Sequence, residues 1–278
     1  MAGLAAFAVA VLLFAQIVLS ADEAKMPAQE SLYARSAALI DGDTGRLLYG
    51  KEENVILPMA STTKIMTCIL VLEMMEPEEI CTASAYAASQ PQVHLGVQKG
   101  WSFRCEDLLY SLMLESHNDT AVILAEAAAG SVEGFATWMN KKAKEIGMTN
   151  SVFQNPSGLD ETTYNLSTAR DMALIMQYAM NNPIFREITG TETHKATTKN
   201  GMTYVWHNKH KLVTGYYEYA IGGKTGFTKQ ARRTLVTSAR KDDMELVVVT
   251  LKAGDDWNDH MNLFNYGFDN YQVQTIIE

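Results

Sequence analysis

Ser61-Thr62-Thr63-Lys64 sets a hydroxyl and an amine three positions apart. On a helix those positions share one face, which brings the amine within reach of the hydroxyl. A serine hydroxyl is a weak nucleophile and needs a base; lysine serves once burial or neighbouring cations hold it neutral. Alone, Ser-x-x-Lys is more often a surface turn of helix than a site. Two further segments follow it, Ser116-His117-Asn118 and Lys224-Thr225-Gly226. Each has a plain structural reading, the first as a helix cap and the second as a turn at a strand end. Taken together they supply a nucleophile, two amines, a second hydroxyl and an amide, the parts of an acyl-transfer site.

The elements that must position these groups show in the hydrophobic pattern. Ser36 to Asp41 and Arg46 to Tyr49 read as two strands around the turn Gly42-Asp43-Thr44-Gly45, a β-hairpin. Pro58 punctuates the chain, and apolar residues at Ile65, Ile69, Leu70 and Leu72 give Ser61 to Glu76 a helical period, with Ser61 at or near the helix start. Further helices are expected over 105–115, 119–129, 132–146 with Gly147 as its C-terminal cap, and 168–181, where Thr168-x-x-Asp171 resembles a capping box. From Thr203 the pattern turns to strands at 204–206, 235–239 and 245–251, and a last amphipathic helix covers 256–268. Strands at both ends with helices between them predict an α+β fold, one sheet assembled from distant segments with a helical insertion.

Composition narrows the chemistry. The chain has 278 residues, 47% hydrophobic, enough for a substantial core. Its formal net charge of -9 argues against a nucleic-acid surface, which draws its affinity from clustered Lys and Arg. Met1 to Ser20 carry no charged side chain and end in small residues, which reads as the hydrophobic region of a signal peptide, although no Lys or Arg precedes it. An uncleaved anchor is the alternative reading, since ~20 apolar residues span a bilayer. The expected division is a signal or anchor over 1–21, a polar lead-in over 22–31 and one catalytic domain over 32–278, outside the cytoplasm. Cys68, Cys81 and Cys105 form no Cys-x-x-Cys; Cys68 reads as a core residue, and a Cys81–Cys105 pairing stays open. His207-x-x-His210 lacks a third ligand at suitable spacing, so neither a metal nor any other cofactor is implied.

Ser-x-x-Lys, a Ser-x-Asn element and Lys-Thr-Gly, in that order, are the set carried by penicillin-binding proteins and class A β-lactamases. The flanking stretches LPMASTTKIMT (57–67), EDLLYSLMLESHNDTAVILAE (106–126), NPSGLD (155–160), STARDMA (167–173), GGKTGFT (222–228) and DDWNDHMNLFNYGF (255–268) resemble serine-type D-alanyl-D-alanine carboxypeptidases, the low-molecular-mass penicillin-binding proteins, over nearly all of 32–270. The resemblance implies the penicillin-binding-protein/β-lactamase-like transpeptidase fold, an antiparallel sheet of about five strands flanked by helices with a helical subdomain. It also implies a substrate, the peptidoglycan stem peptide ending in D-Ala-D-Ala, with β-lactam antibiotics as covalent inhibitors. It implies that Ser61 attacks the peptide carbonyl and neutral Lys64 takes its proton. Ser116, with Asn118 positioning the chain, would pass a proton to the leaving D-alanine, and Lys224 would supply the positive potential that keeps Lys64 neutral. Thr225 and Gly226 would line the substrate site, Thr225 bonding the terminal carboxylate, and the N–H groups of Ser61 and Phe227 would form the oxyanion hole.

The sequence departs from this pattern in places. His117 replaces the Asp or Gly common in that element, Asn165 stands where many relatives have His, and Arg232-Arg233 follows Ala231 where Gly is usual; Asn165 and the arginines fall on the expected substrate side. Many relatives continue into an all-β domain and a C-terminal amphipathic membrane helix. Two rival readings are a β-lactamase, since Glu161-Thr-Thr-Tyr-Asn165 mimics the spacing of its water-activating Glu, and a non-catalytic cell-wall-binding module.

Overall fold

The computed structural model describes residues 14–19, 27, 31–160, 164–198 and 201–276. In chain order its strands are β1 (Phe14–Leu19), β2 (Ser36–Asp41), β3 (Leu47–Lys51), β4 (Leu57–Pro58), β5 (Ile80–Thr82), β6 (Ser102–Arg104) and β7 (Leu166–Ser167). They continue with β8 (Thr193–Thr197), β9 (Thr203–His207), β10 (Ala220–Thr228), β11 (Arg232–Lys241), β12 (Met244–Ala253) and β13 (Tyr271–Ile276). The helices are α1 (Lys64–Met74), α2 (Ala85–Ala88), α3 (Cys105–Tyr110), α4 (Asn118–Ala129), α5 (Val132–Glu145), α6 (Ala169–Met180), α7 (Pro183–Gly190) and α8 (Asp256–Asn270).

The central sheet has five antiparallel strands in the order β10-β11-β12-β2-β3. The expected hairpin is β2 and β3, and it joins the strands from the other end of the chain through β12, from Leu246 opposite Asp41 to Leu251 opposite Ser36. β12 is buried along nearly its whole length, because both sheet faces are covered. Its period-two alternation divides the residues between two cores: Val247, Val249 and Leu251 join α6 and the helical region, while Leu246 and Val248 pack with Leu263 and Phe264 of α8. Gly267 lets α8 lie close to the sheet, since a Cβ there would meet Leu246 Cδ1 at 2.5 Å.

α1 runs through the middle of the helical region. Residues 64–71 are all buried, so this helix is enclosed on every side rather than amphipathic, and a lysine at its first position enters the interior with it. The helix expected over 105–115 is α3 continued by a wider π turn at Ser111–Glu115, and the one over 132–146 ends as expected, with Gly147 left-handed at φ +83°. Thr168 caps α6 by accepting the Asp171 N–H at 3.0 Å. Asp171 does not close the reciprocal half of a capping box; its carboxylate takes the Asn150 N–H and the Ser151 hydroxyl, tying the 150–151 turn to α6.

Several elements escaped the sequence reading. α7 carried a readable start, Asn182 capping with Pro183 first in the helix. β8 and β9 form a hairpin of alternating polar and aromatic residues, of which only β9 was anticipated. β5 and β6 form another hairpin, and β1 pairs with β13. Residues 1–13 and 20–21 of the expected signal segment lie outside the described residues; among the described residues no helix is long and apolar enough to cross a membrane. Cys68 is a core residue, and Cys81 and Cys105 are buried free thiols beside one another at the β5–β6 hairpin.

Candidate active site

The segment before α1 forms a tight 3₁₀ turn, Ala60–Thr63, which presents Ser61 at the surface of the helical region. The turn rests on Gly158, whose φ is +83° and whose missing side chain leaves room for the Ala60 carbonyl. Lys64 follows, fully buried, and its Nζ lies 3.0 Å from Ser61 Oγ, 2.9 Å from Asn118 Oδ1 and 2.6 Å from the Ser157 carbonyl oxygen. A neutral amine has two N–H bonds and one lone pair. The two carbonyl oxygens accept the N–H bonds, which leaves the lone pair for the Ser61 hydroxyl to donate to. Burial, and after it the charge of Lys224, push the Lys64 amine well below the ordinary lysine range, while Asp119 pulls the other way.

Ser116 and Asn118 do not cap a helix. His117 is the residue ahead of α4, with no side-chain cap bond, and Ser116 sits in the left-handed region at φ 69°, turned into the cleft. Asn118 spends its amide on the cleft, Oδ1 on Lys64 and Nδ2 on the Pro91 carbonyl. The His117 side chain turns inward to Ser111 Oγ at 2.8 Å, and burial lowers its pKa to about 4.

Lys224-Thr225-Gly226 lies within a strand, not at its end. β10 continues to Thr228, pairing Lys224 with Val236 and Gly226 with Thr234. The strand runs so close to the turn carrying Ser61 that a Cβ on Gly226 would stand 3.0 Å from the Ser61 nitrogen. Thr234 fixes this approach by donating to the Met59 carbonyl at 3.0 Å. Lys224 is buried, and its pKa falls to about 7 through burial and then through Lys209. A cavity of about 450 Å³ opens here, lined by Ser61, Ser116, Thr225, Gly226, Phe227 and Arg233 among others.

Of the two arginines, Arg233 lines the cavity, held by Asp256 at 2.7 Å with its guanidinium over the Trp257 ring. Arg232 is exposed and not part of the lining. Asn165, expected on the substrate side, is instead buried under the floor. It accepts the Gln154 N–H and donates to Thr63 Oγ1 and the Asn155 carbonyl, tying the loop before Ser157 to the turn that carries Ser61. Glu161, on which the β-lactamase spacing rests, lies outside the described residues. His207 and His210 diverge, His207 bonding Thr193 at the surface and His210 bonding Thr237 inside.

Sequence reasoning overlooked several groups. Asn155 Oδ1 accepts the N–H groups of Ser157 and Gly158 and so shapes the turn whose carbonyl meets Lys64. Asp119, buried at the start of α4, accepts the N–H groups of Leu95 and Gly96 and anchors the loop over the cleft. Glu115 pairs with Lys209 at 2.8 Å on the cavity wall. The Asn-Pro-Ser-Gly segment was the available signal, a turn sequence between two helical stretches.

Residues 23–255 match the family described as D-alanyl-D-alanine carboxypeptidase. The chain is 33% identical over 247 residues to the Bacillus subtilis D-alanyl-D-alanine carboxypeptidase DacF, covering 87% of this chain and 63% of that protein, so it spans less than two thirds of that relative. A crystal structure of a Mycobacterium tuberculosis D-alanyl-D-alanine carboxypeptidase superposes with a TM-score of 0.84 at 31% identity, covering 91% of this chain and 96% of that one. Penicillin-binding protein D2 of Listeria monocytogenes, in its cefotaxime-bound form, gives a TM-score of 0.76 at 28% identity over 85% of this chain and 98% of that one.

Proposed function

The chain belongs to the D-alanyl-D-alanine carboxypeptidase family, and from that premise we propose that it removes the terminal D-alanine from peptidoglycan stem peptides through an acyl-enzyme on Ser61. The observation that carries this reading is the set of three partners on a buried Lys64 amine, which suits a base with its lone pair on the Ser61 hydroxyl.

In the first step Ser61 Oγ bonds to the carbonyl carbon of the penultimate D-alanine as its proton passes to Lys64 Nζ. The carbonyl oxygen takes up negative charge between the N–H groups of Ser61 and Phe227, an interaction typically worth ~3 kcal/mol per donor. The C–N bond then breaks, and Ser116, with Asn118 holding the geometry, gives its hydroxyl proton to the departing D-alanine nitrogen and takes the one held by Lys64 in its place. Thr225 bonds the terminal carboxylate beside Gly226, and Lys224, when protonated, holds the potential that disfavours charge on Lys64. Water releases the shortened peptide by the reverse proton path. A β-lactam presents a strained amide to the same serine and would acylate it; the cefotaxime-bound Listeria protein supports this partner. The substrate sets the place of action in the cell envelope, outside the cytoplasm, with residues 1–21 as signal or membrane attachment.

Fluorescent penicillin labelling, with D-alanine release from diacetyl-Lys-D-Ala-D-Ala measured in parallel, tests the reading. Ser61→Ala is expected to lose both, and Lys64→Ala to lose acylation by on the order of a thousandfold or more, since the pair acts as one unit. Covalent labelling retained by Ser61→Ala would refute the assignment.

A further inference from the structure

A second cavity, of about 540 Å³, lies apart from the catalytic one, between the β5–β6 hairpin, α3 and the β8–β9 hairpin. Trp101, half-buried, and Phe103 line it beside the exposed Ile80, and Glu78, Arg104 and Asp107 supply its charged groups. The walls are rigid. A run of rings passes from Phe103 to Tyr204, Trp206, His194 and Tyr110, with centroids 5.9, 5.9, 5.9 and 3.7 Å apart. His194 also bonds Asp107 at 2.9 Å, so the hairpin is clamped to α3. A pocket of this size with aromatic walls and a few polar groups is the ordinary form of a small-molecule site.

The two cavities differ in charge. Arg233, Lys209 and Lys211 stand on the catalytic one against Glu115 and Asp256, with Lys224 buried beside it, whereas the second has two carboxylates and one guanidinium already paired with Glu106. The first suits an anionic peptide end. The second disfavours anions and offers the half-buried Trp101 ring together with the Glu78 carboxylate, which suits a neutral ligand with apolar faces and a rim of hydroxyl and amide groups. An N-acetylated hexosamine has that chemistry.

The β8–β9 hairpin joins the two cavities. Thr197, Thr198 and Met202 lie on the second, while His207 at the other end of β9 donates to Glu115 and leads to Lys209 on the catalytic wall. From Met202 to Lys209 an extended chain reaches at most about 23 Å, so the two cavities lie within the span of one glycan strand. We infer that the second cavity is an accessory site for that strand, binding neutral N-acetylated hexosamine units of the polymer whose stem peptides enter the Ser61 cavity. This rests on the reading that the chain acts on peptidoglycan.

The test uses N-acetylglucosamine tetramer as the probe, titrated calorimetrically into the full chain. Saturable binding is expected, and Trp101→Ala should weaken it at least tenfold. Ile80→Asp, a substitution at an exposed residue, should do the same with an unchanged melting temperature. Both variants should acylate with penicillin and release D-alanine from diacetyl-Lys-D-Ala-D-Ala within twofold of the parent, yet release it several-fold more slowly from intact sacculi. No saturable binding by the parent, binding unaltered in both variants, sacculus turnover unaltered in both, or displacement of the tetramer by a free stem tetrapeptide would each overturn the inference. Loss of penicillin acylation by the parent itself would instead refute the catalytic reading, so the two failures are distinguishable.

Discussion

Lys64 and Lys224 carry the same amine in adjoining interiors, and their surroundings give them different tasks. Lys64 is held well below the ordinary lysine range, by burial first and then by the charge of Lys224, which suits a base that must be neutral before the substrate arrives. Lys224, at about 7, is close to half protonated at neutral pH, so its charge depends on small changes nearby. Lys209 is the nearest such control, since its charge lowers Lys224. Removing that charge relieves the repulsion on protonated Lys224, so the Lys224 pKa rises. The acylation rate with penicillin should therefore fall above about pH 7 in the parent, and Lys209→Met should carry that alkaline limb upward by about half a pH unit. The rate of acylation against pH in the two proteins is the check, and superimposable alkaline limbs would show that Lys224 need not be charged.

At the scale of elements, Ser61 is positioned by turns more than by helices. Two pieces meet at the Ser61 turn, the loop through Ser157 and Gly158 and strand β10, while the loop anchored by Asp119 lines the same cavity at Val93. The sequence announced four strands of the central sheet and most helices because their patterns are long and periodic, whereas β10, with its two adjacent glycines and polar residues, has no clear alternation and the strand expected at 204–206 belongs to a separate hairpin. It also announced the polar side chains at the centre of the site, which stand in short recognisable groups. It left out the Ser157 carbonyl, because a backbone atom serves whatever side chain it belongs to. It misjudged Asn165, because sequence position gives no sign of which side of a loop a side chain takes; burial and four hydrogen bonds to Thr63, Gln154 and Asn155 make it a strut. The second cavity was illegible because its walls come from hairpins far apart in the chain. Gly158 gives the element-scale prediction. An alanine there would strain a left-handed residue and press its Cβ into the Ala60 carbonyl, costing about 2–3 kcal/mol. Gly158→Ala should lower the melting temperature and, by shifting Ser157 away from Lys64, slow penicillin acylation at least tenfold at temperatures where it stays folded. A variant with parental melting temperature and rate would show that the turn has room to adjust.

For the whole molecule, the main liability is protonation of buried bases. His210 and His260 are fully enclosed beneath the sheet, joined through Thr237, with His260 also bonded to Thr250. His117 is buried beside α3 and α4. Burial lowers His117 and His210 to about 4 and His260 well below the ordinary range. In the unfolded chain all of them return to ~6.5. Between pH 6.5 and about 4 the unfolded state therefore binds protons that the folded state refuses, and stability falls as pH falls through that window. His117 and His210 each cost about 2 kcal/mol at pH 5, about 4 kcal/mol together against a typical total of 5–15 kcal/mol, and His260 adds in the same direction. The melting temperature should thus drop steeply from pH 6.5 to 5, before most carboxylates titrate. Replacing His117 by Asn keeps a polar partner for Ser111 and removes one titrating base, so the variant should show a shallower fall over the same range. A melting temperature that stays level from pH 7 to 5 would mean that these imidazoles become charged in the folded protein at little cost.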